Sequence, residues 1–171
     1  MPSCDEAQAW VLEAVDRFEQ PLLRYARRLL GDVDLAADTV QHSFMKLCGE
    51  SRERVQARIA PWLFRVCRNR ALDHLRRAGR ERTLDDSVSH PRATDPADRT
   101  PDPAAAAETS DLASRLRMLL ADLPAAQRET IDLWCEGFTY REIAEIAGRT
   151  EGNVRVLAHR GLAAQIGRSH V

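Results

Sequence analysis

Residues 139–162, TYREIAEIAGRTEGNVRVLAHRGL, decide the fold. The stretch reads as two helices joined by a tight turn. Thr139 and Glu142 have capping-box spacing, so each side chain can satisfy a backbone donor at the start of a helix. Ile143, Ala144 and Ala147 follow as an inward stripe at helical spacing. Gly148 stops that helix, because glycine accepts the left-handed conformation a C-terminal cap needs. Thr150 can cap the next helix, and Glu151 suits its positive N-terminal end. Val154, Leu157 or Ala158, and Leu162 supply a second inward face. Small Ala144, then Gly148, then apolar Val154 make the helix-turn-helix pattern. The outward face of the second helix carries Asn153, Arg155, His159 and Arg160. Asn and Arg are the side chains that read adenine and guanine edges bidentately in the major groove. A plain helical hairpin with a solvated basic face is the alternative this stretch leaves open.

The 171 residues suffice for one domain or two small ones. Aromatics are only 5% and Ala, Leu and Arg dominate, a mixture that favours helices over sheets. A formal net charge of -1 argues against a generic nucleic-acid binder, but the charge is unevenly spread. Residues 52–82 hold ten Arg against three acids, and residues 83–111 hold seven acids against two Arg. Such local asymmetry matters more for partners than the total. Cys4, Cys48, Cys67 and Cys135 form no CxxC pair and have no His cluster at zinc-site spacing. No disulfide framework, metal site or cofactor is expected. Cys67 and Cys135 stand in apolar helical contexts and are expected to be buried. The N-terminus lacks a basic-then-apolar signal segment and no apolar run approaches a membrane span, so a reduced, cytoplasmic protein is the expectation.

From the N-terminus, Trp10, Val11, Ala14, Val15, Phe18, Leu22, Leu23, Ala26, Leu29 and Leu30 recur at three- and four-residue spacing. They predict one long amphipathic helix, or two meeting near Pro21, ended by Gly31. Asp32 or Asp34 can cap the next helix. Leu35, Ala36, Val40, Phe44 and Leu47 mark its buried face. Asp38, Gln41, His42, Met45 and Lys46 mark the other, which by spacing alone reads as a solvated face. Residues 48–59 are polar, contain a glycine, and read as a loop or frayed turn. Pro61 fits the first turn of a third helix running to Gly79. Leu63, Val66, Cys67, Ala71 and Leu75 are its core candidates. Arg65, Arg68, Asn69, Asp73, Arg76 and Arg77 decorate its other faces. Trp62 is either a core anchor or an aromatic free to stack on a base. The arginine density exceeds what solubility needs and suits a surface that tracks phosphates.

Over residues 81–110 the apolar pattern dissolves among Pro91, Pro96, Pro101, Pro103 and acids, as in a flexible linker. Its charge is opposite to that of residues 52–82, so it could fold back and screen them. Leu112, Leu116, Leu119, Leu120 and Leu123 then open a second helical domain. Pro124 starts another helix, with Ile131, Leu133, Trp134 and Phe138 as apolar candidates and Gly137 at its end. The predicted fold is all-α: a domain over 1–82, a flexible acidic linker over 83–111, and a helix-turn-helix domain over 112–171.

Three stretches in this order resemble the extracytoplasmic-function RNA polymerase sigma factors, the minimal two-domain group of the sigma-70 family. AADTVQHSF (36–44) resembles region 2.2. PWLFRVCRNRALDHLRR (61–77) resembles regions 2.3 and 2.4. LPAAQRETIDL (123–133) with FTYREIAEIAGRTEGNVR (138–155) resembles region 4. The resemblance implies a promoter-specificity factor that binds core RNA polymerase and promoter DNA and assists promoter melting. It implies that Asp38, Gln41, His42 and Met45 dock on the β′ clamp helices, overriding the solvated-face reading. It implies that Trp62, Arg65, Asn69, Asp73, Arg76 and Arg77 recognise the -10 element, with residues 48–59 as the rim of a base-capturing site. It implies that Arg149, Asn153, Arg155, His159 and Arg160 contact the -35 element. Members of the family are often held inactive by an anti-sigma factor, a candidate partner here. The free chain is expected to be a monomer.

The sequence departs from the family pattern in two places. His42 stands where the family usually has Glu. Val156 and Leu157 stand where it commonly has Ser-Arg, which removes a cation from the recognition helix. The acids form no evident catalytic pair and no Ser or Cys lies in a nucleophile motif, so no enzyme activity is expected. The rival reading is a helix-turn-helix regulator that binds duplex DNA without joining the polymerase. It leaves the basic helix and the region 2.2-like helix without a role. A degenerate sigma-like module that binds only a regulator is a further rival.

Overall fold

The computed structural model describes residues 4–84 and 123–168, with side chains over 9–79 and 123–163. Most of the predicted linker, and Leu112, Leu116, Leu119 and Leu120, lie outside the described residues. Within them the regular structure is helical throughout, and it forms two units, one built on residues 4–84 and the other on residues 123–144 and 148–168, with residues 145–147 grouped with the first.

In the first unit α1 (Cys4–Leu30) is one continuous helix that carries Pro21 inside it. Gly31 closes it at φ 68°, its N–H donating to the Arg27 carbonyl at 2.8 Å. Asp32 caps α2 (Val33–Cys48) by accepting from the Leu35 N–H at 2.8 Å. Residues 48–59, read as a loop, are instead mostly helical. A short α3 (Arg52–Val55) and a 3₁₀ turn (Gln56–Arg58) lead without a break into α4 (Ile59–Leu84). Val55 supplies the reason, since it is buried and draws this polar stretch onto the core.

The helices α1, α2 and α4 pack on one another in pairs. Leu22, Tyr25, Ala26, Ala36, Leu47, Leu63, Phe64 and Cys67 form the sealed centre. The Tyr25 and Phe64 rings lie with centroids 5.2 Å apart at a tilt of 42°. Phe64, absent from the predicted face of α4, is buried, whereas Leu75 is exposed and Val66 half-buried. On α2 Leu35 is exposed and Phe44 half-buried, while small Thr39 and Ser43 take the inward positions. The Ser43 hydroxyl donates to the Thr39 carbonyl at 2.8 Å. Burial pushes the Cys67 thiol up to about 12 against the weaker opposing pull of Ser43. Gly79 does not end α4, which runs through it to Leu84. It lacks the positive φ that Gly31, Gly137 and Gly148 adopt.

The second unit begins at buried Leu123. Pro124 is the N-cap of α5 (Ala125–Cys135) rather than its first residue, and its carbonyl accepts from Gln127 and Arg128. Ile131, Leu133 and Phe138 are buried as expected. Trp134 is not. It is 48% exposed, and Cys135 is exposed too, because both fall on the face of α5 turned from its core. Gly137 closes the helix at φ 93°. The helix-turn-helix follows as α6 (Tyr140–Ala147) and α7 (Glu151–Arg168).

Candidate nucleic-acid interface

The turn between α6 and α7 is built by local chemistry. Glu142 N–H donates to Thr139 Oγ1 at 3.3 Å, and Thr139 N–H donates back to Glu142 Oε2 at 2.8 Å. This reciprocal capping box fixes where α6 starts. Gly148 ends it at φ 64°, with Arg149 N–H donating to the Ala144 carbonyl at 2.9 Å. Two residues later the Thr150 hydroxyl accepts from Asn153 N–H at 3.2 Å and starts α7. Ile143, Ala144, Ile146 and Ala147 are buried on one side of the turn, Val154 and Ala158 on the other.

The angle of α7 is held at its far end by a close approach. Gly161, not Leu162, is the buried residue there, and Leu162 is exposed. A Cβ added at Gly161 would stand 2.6 Å from Ile131 Cδ1 of α5. Periodicity points to Leu162 because it weighs side chains, and a glycine that matters by lacking one leaves no apolar signal.

This arrangement leaves Arg149, Asn153, Arg155, His159 and Arg160 exposed along the turn and the outer face of α7. Val156 joins them at 48% exposure, an apolar patch on this face. Arg155 Nη2 donates to Glu151 Oε1 at 2.9 Å, and its guanidinium carbon lies 5.9 Å from the centroid of the Tyr140 ring. The Glu151 partner was legible as an i, i+4 pair. Tyr140 was not, since it comes from the other helix.

In the first unit, Trp62, Arg65, Asn69, Asp73 and Arg76 succeed one another at three- and four-residue steps and so share one face of α4. Arg65, Asn69, Asp73, Arg76 and Arg77 are exposed and Trp62 is half-buried. Asp73 accepts from Arg76 Nη1 at 3.1 Å. The opposite face of α4 is the buried one, so the core fixes the direction in which this stripe points.

Asp38, Gln41, His42 and Met45 likewise share one face of α2. Met45 is 67% exposed and His42 half-buried. Asp38 reaches across to α4, where its Oδ2 lies 3.5 Å from Arg70 Nη2 and 3.6 Å from His74 Nε2. Arg70 and His74 carry no signal in the sequence, because their partner sits on another helix. Burial, then the Arg70 and Lys46 cations, pull the His42 pKa below its ordinary 6.5, while Asp38 opposes them and His74 adds a small further lowering. No group of three or more metal-ligating side chains occurs among the described residues. None of the described helices is long and apolar enough to cross a membrane.

Residues 14–81 match the sigma-70 region 2 family and residues 113–164 match the sigma-70 region 4 family. The chain is 32% identical to the RNA polymerase sigma factor CarQ of Myxococcus xanthus, over 86% of each chain. It is also 32% identical to the ECF RNA polymerase sigma factor SigE of Mycolicibacterium smegmatis, over 94% of this chain but only 59% of that longer one. A solved structure of the sigma factor RpoE in complex with the anti-sigma factor NepR, from Bartonella quintana, superposes with a TM-score of 0.67 at 25% identity. That match covers 90% of this chain and 92% of RpoE.

Proposed function

Because the chain belongs to the extracytoplasmic-function group of the sigma-70 family, we propose that its two units divide promoter recognition between them. As a sigma factor it binds core RNA polymerase, directs it to -35 and -10 elements and assists promoter melting. The division assigns residues 1–82 to core polymerase and the -10 element, residues 83–111 to a linker, and residues 112–171 to the -35 element. In the second unit α7 enters the major groove. Arg155 and Asn153 read base edges, while Arg149, His159 and Arg160 contact the backbone or neighbouring bases.

In the first unit the α4 stripe meets the -10 element. Trp62 stacks on an extruded base of the non-template strand, Asn69 reads its edge, and Arg65, Arg76 and Arg77 hold the phosphates, with Asp73 orienting Arg76. Extruding a base costs a few kcal/mol, which stacking of roughly 1–3 kcal/mol and edge hydrogen bonds must offset. Asp38, Gln41, His42 and Met45 dock on the β′ clamp helices. The protein makes and breaks no covalent bond itself, since phosphodiester chemistry belongs to the polymerase, and it works in the cytoplasm. Free, it is a monomer. An anti-sigma factor is a further partner, as one is for the Bartonella neighbour.

The observation that carries this reading is the presence, in one chain, of two Arg-bearing stripes, exposed or half-buried, on two different helical units. A duplex-binding regulator accounts for α7 alone and is not favoured. The test is co-purification with core RNA polymerase, followed by transcription from a library of genomic fragments. Stable association with new, promoter-specific transcripts is expected. Specific duplex binding without association would return the regulator reading.

A further inference from the structure

We propose that Glu151 and Tyr140 are positioning residues that hold the Arg155 guanidinium in place, and so determine which base the recognition helix selects. The inference rests on the reading that Arg155 contacts a base. Arg155 is bound from both helices of the motif. Glu151, on the first turn of α7, accepts from Nη2 at 2.9 Å. Tyr140, the first residue of α6, presents its ring 5.9 Å from the guanidinium carbon, within the reach of a cation–π contact.

The ion pair lies in solvent, with the Arg155 side chain 66% and the Glu151 side chain 48% exposed. Pairs this exposed add little to stability, so stability does not explain the arrangement. Its effect is on the side chain's freedom. A long arginine loses rotamer entropy when it docks on a base, and two restraints set in advance reduce that loss. One Nη2 proton is engaged by Glu151, which leaves Arg155 with further N–H donors for the two acceptors of a guanine edge.

Glu151 has a second effect. A carboxylate at the leading end of α7 repels phosphate, so it weakens contacts in which Arg155 merely neutralises the backbone. Discrimination between partners often depends on such a repulsive element as much as on the attractive one. The two effects predict opposite signs. Glu151→Gln is expected to raise affinity for unrelated duplex while weakening base preference. Tyr140→Leu is expected to weaken base preference, and Tyr140→Phe, which keeps the ring, to preserve it.

The test uses the full chain assembled with core RNA polymerase. Duplex DNA with a randomised upstream segment is selected, and the enriched bases are read by sequencing. Arg155→Ala should abolish the preference at one position, a change of roughly 10- to 100-fold. Glu151→Gln and Tyr140→Leu should each lower that same preference about 5-fold, with Glu151→Gln also binding unselected duplex more tightly. Glu151 is exposed, so its replacement does not threaten the fold, and it carries the test if Tyr140→Leu fails to fold. Loss of preference in Arg155→Ala alone, with both other variants unchanged, overturns the inference and leaves the base-contact reading standing. An unchanged preference in Arg155→Ala overturns that reading itself. Loss in Glu151→Gln of a preference for cytosine at a different position overturns positioning in favour of direct readout by Glu151.

Discussion

At the scale of single residues, the interior of the first unit contains a hydroxyl without a hydrogen-bond partner among the described residues. Thr39 is fully buried on α2 and its Oγ1 is that hydroxyl. A buried hydroxyl that has given up water without a replacement costs about 1–3 kcal/mol. Thr39→Val keeps the shape and removes the polar atom, so it should stabilise the protein by about 1 kcal/mol. Urea unfolding checks this, and a lower midpoint would mean the hydroxyl has a partner after all. His42 makes a pH-dependent prediction. Its pKa is lowered, first by burial and then by Arg70 and Lys46, so the unfolded chain binds a proton more readily than the folded one. Stability from this group is full above pH 6.5, its ordinary value, and is lost as pH falls through the lower folded value. His42→Gln should flatten the stability profile just below pH 6.5, measured by urea midpoints across that range. An identical slope in both proteins would assign the effect to other groups.

At the scale of elements, what could be read from the sequence is what local chemistry decides. The capping box at Thr139, the left-handed caps at Gly31, Gly137 and Gly148, and the cap at Asp32 need only a few neighbouring residues, and each was legible. What packing decides was not. Gly79 looks like Gly31 in sequence, yet α4 runs through it. Residues 48–59 look like a loop, yet Val55 draws them into a helix against the core. Leu75 and Trp134 fit an apolar period but face away from their unit's core. The candidate site shows the same division. The residues of the α4 and α7 stripes are exposed or half-buried, while the cross-helix partners Tyr140, Arg70 and His74 went unseen. Gly161 turns this lesson into a prediction about α5 and α7. Alanine there improves helix propensity by about 1 kcal/mol, but its Cβ collides with Ile131 Cδ1, and overpacking costs about 1–3 kcal/mol. Ile131 Cδ1 is the free end of a side chain and can turn aside, so Gly161→Ala should change the natural protein's stability by less than about 1 kcal/mol. Ile131→Val deletes the offending methyl, and in that background Gly161→Ala should become clearly stabilising. A double-mutant cycle on thermal midpoints gives the coupling directly. Additive effects would show that the α5–α7 approach yields without strain.

At the scale of the whole molecule, the two proposed DNA contacts would belong to two steps of initiation, each limited by a different unit. On the proposed division, duplex capture by α7 would come before strand opening and involve bases that stay paired, and base trapping by the α4 stripe would be realised only once a base leaves the stack. Changes in α7 should thus weaken closed and open complexes alike, whereas changes at Trp62 or Asn69 should spare the closed complex and impair opening. Trp62→Ala removes the stacking surface, and stacking is worth about 1–3 kcal/mol per base, so the equilibrium for opening should fall by roughly 10-fold or more. Asn69→Ala removes edge hydrogen bonds and should shift it in the same direction. Closed-complex affinity can be measured by filter binding at a temperature too low for melting, and opening by permanganate reactivity of unpaired thymines on warming. Arg155→Ala is the contrasting control, expected to lower filter binding first and permanganate reactivity only in proportion. Combined with Trp62→Ala its effect should add, since the two act on different DNA and share no partner. Equal losses in both assays for Trp62→Ala would refute base trapping, and would make the tryptophan a structural anchor at the head of α4.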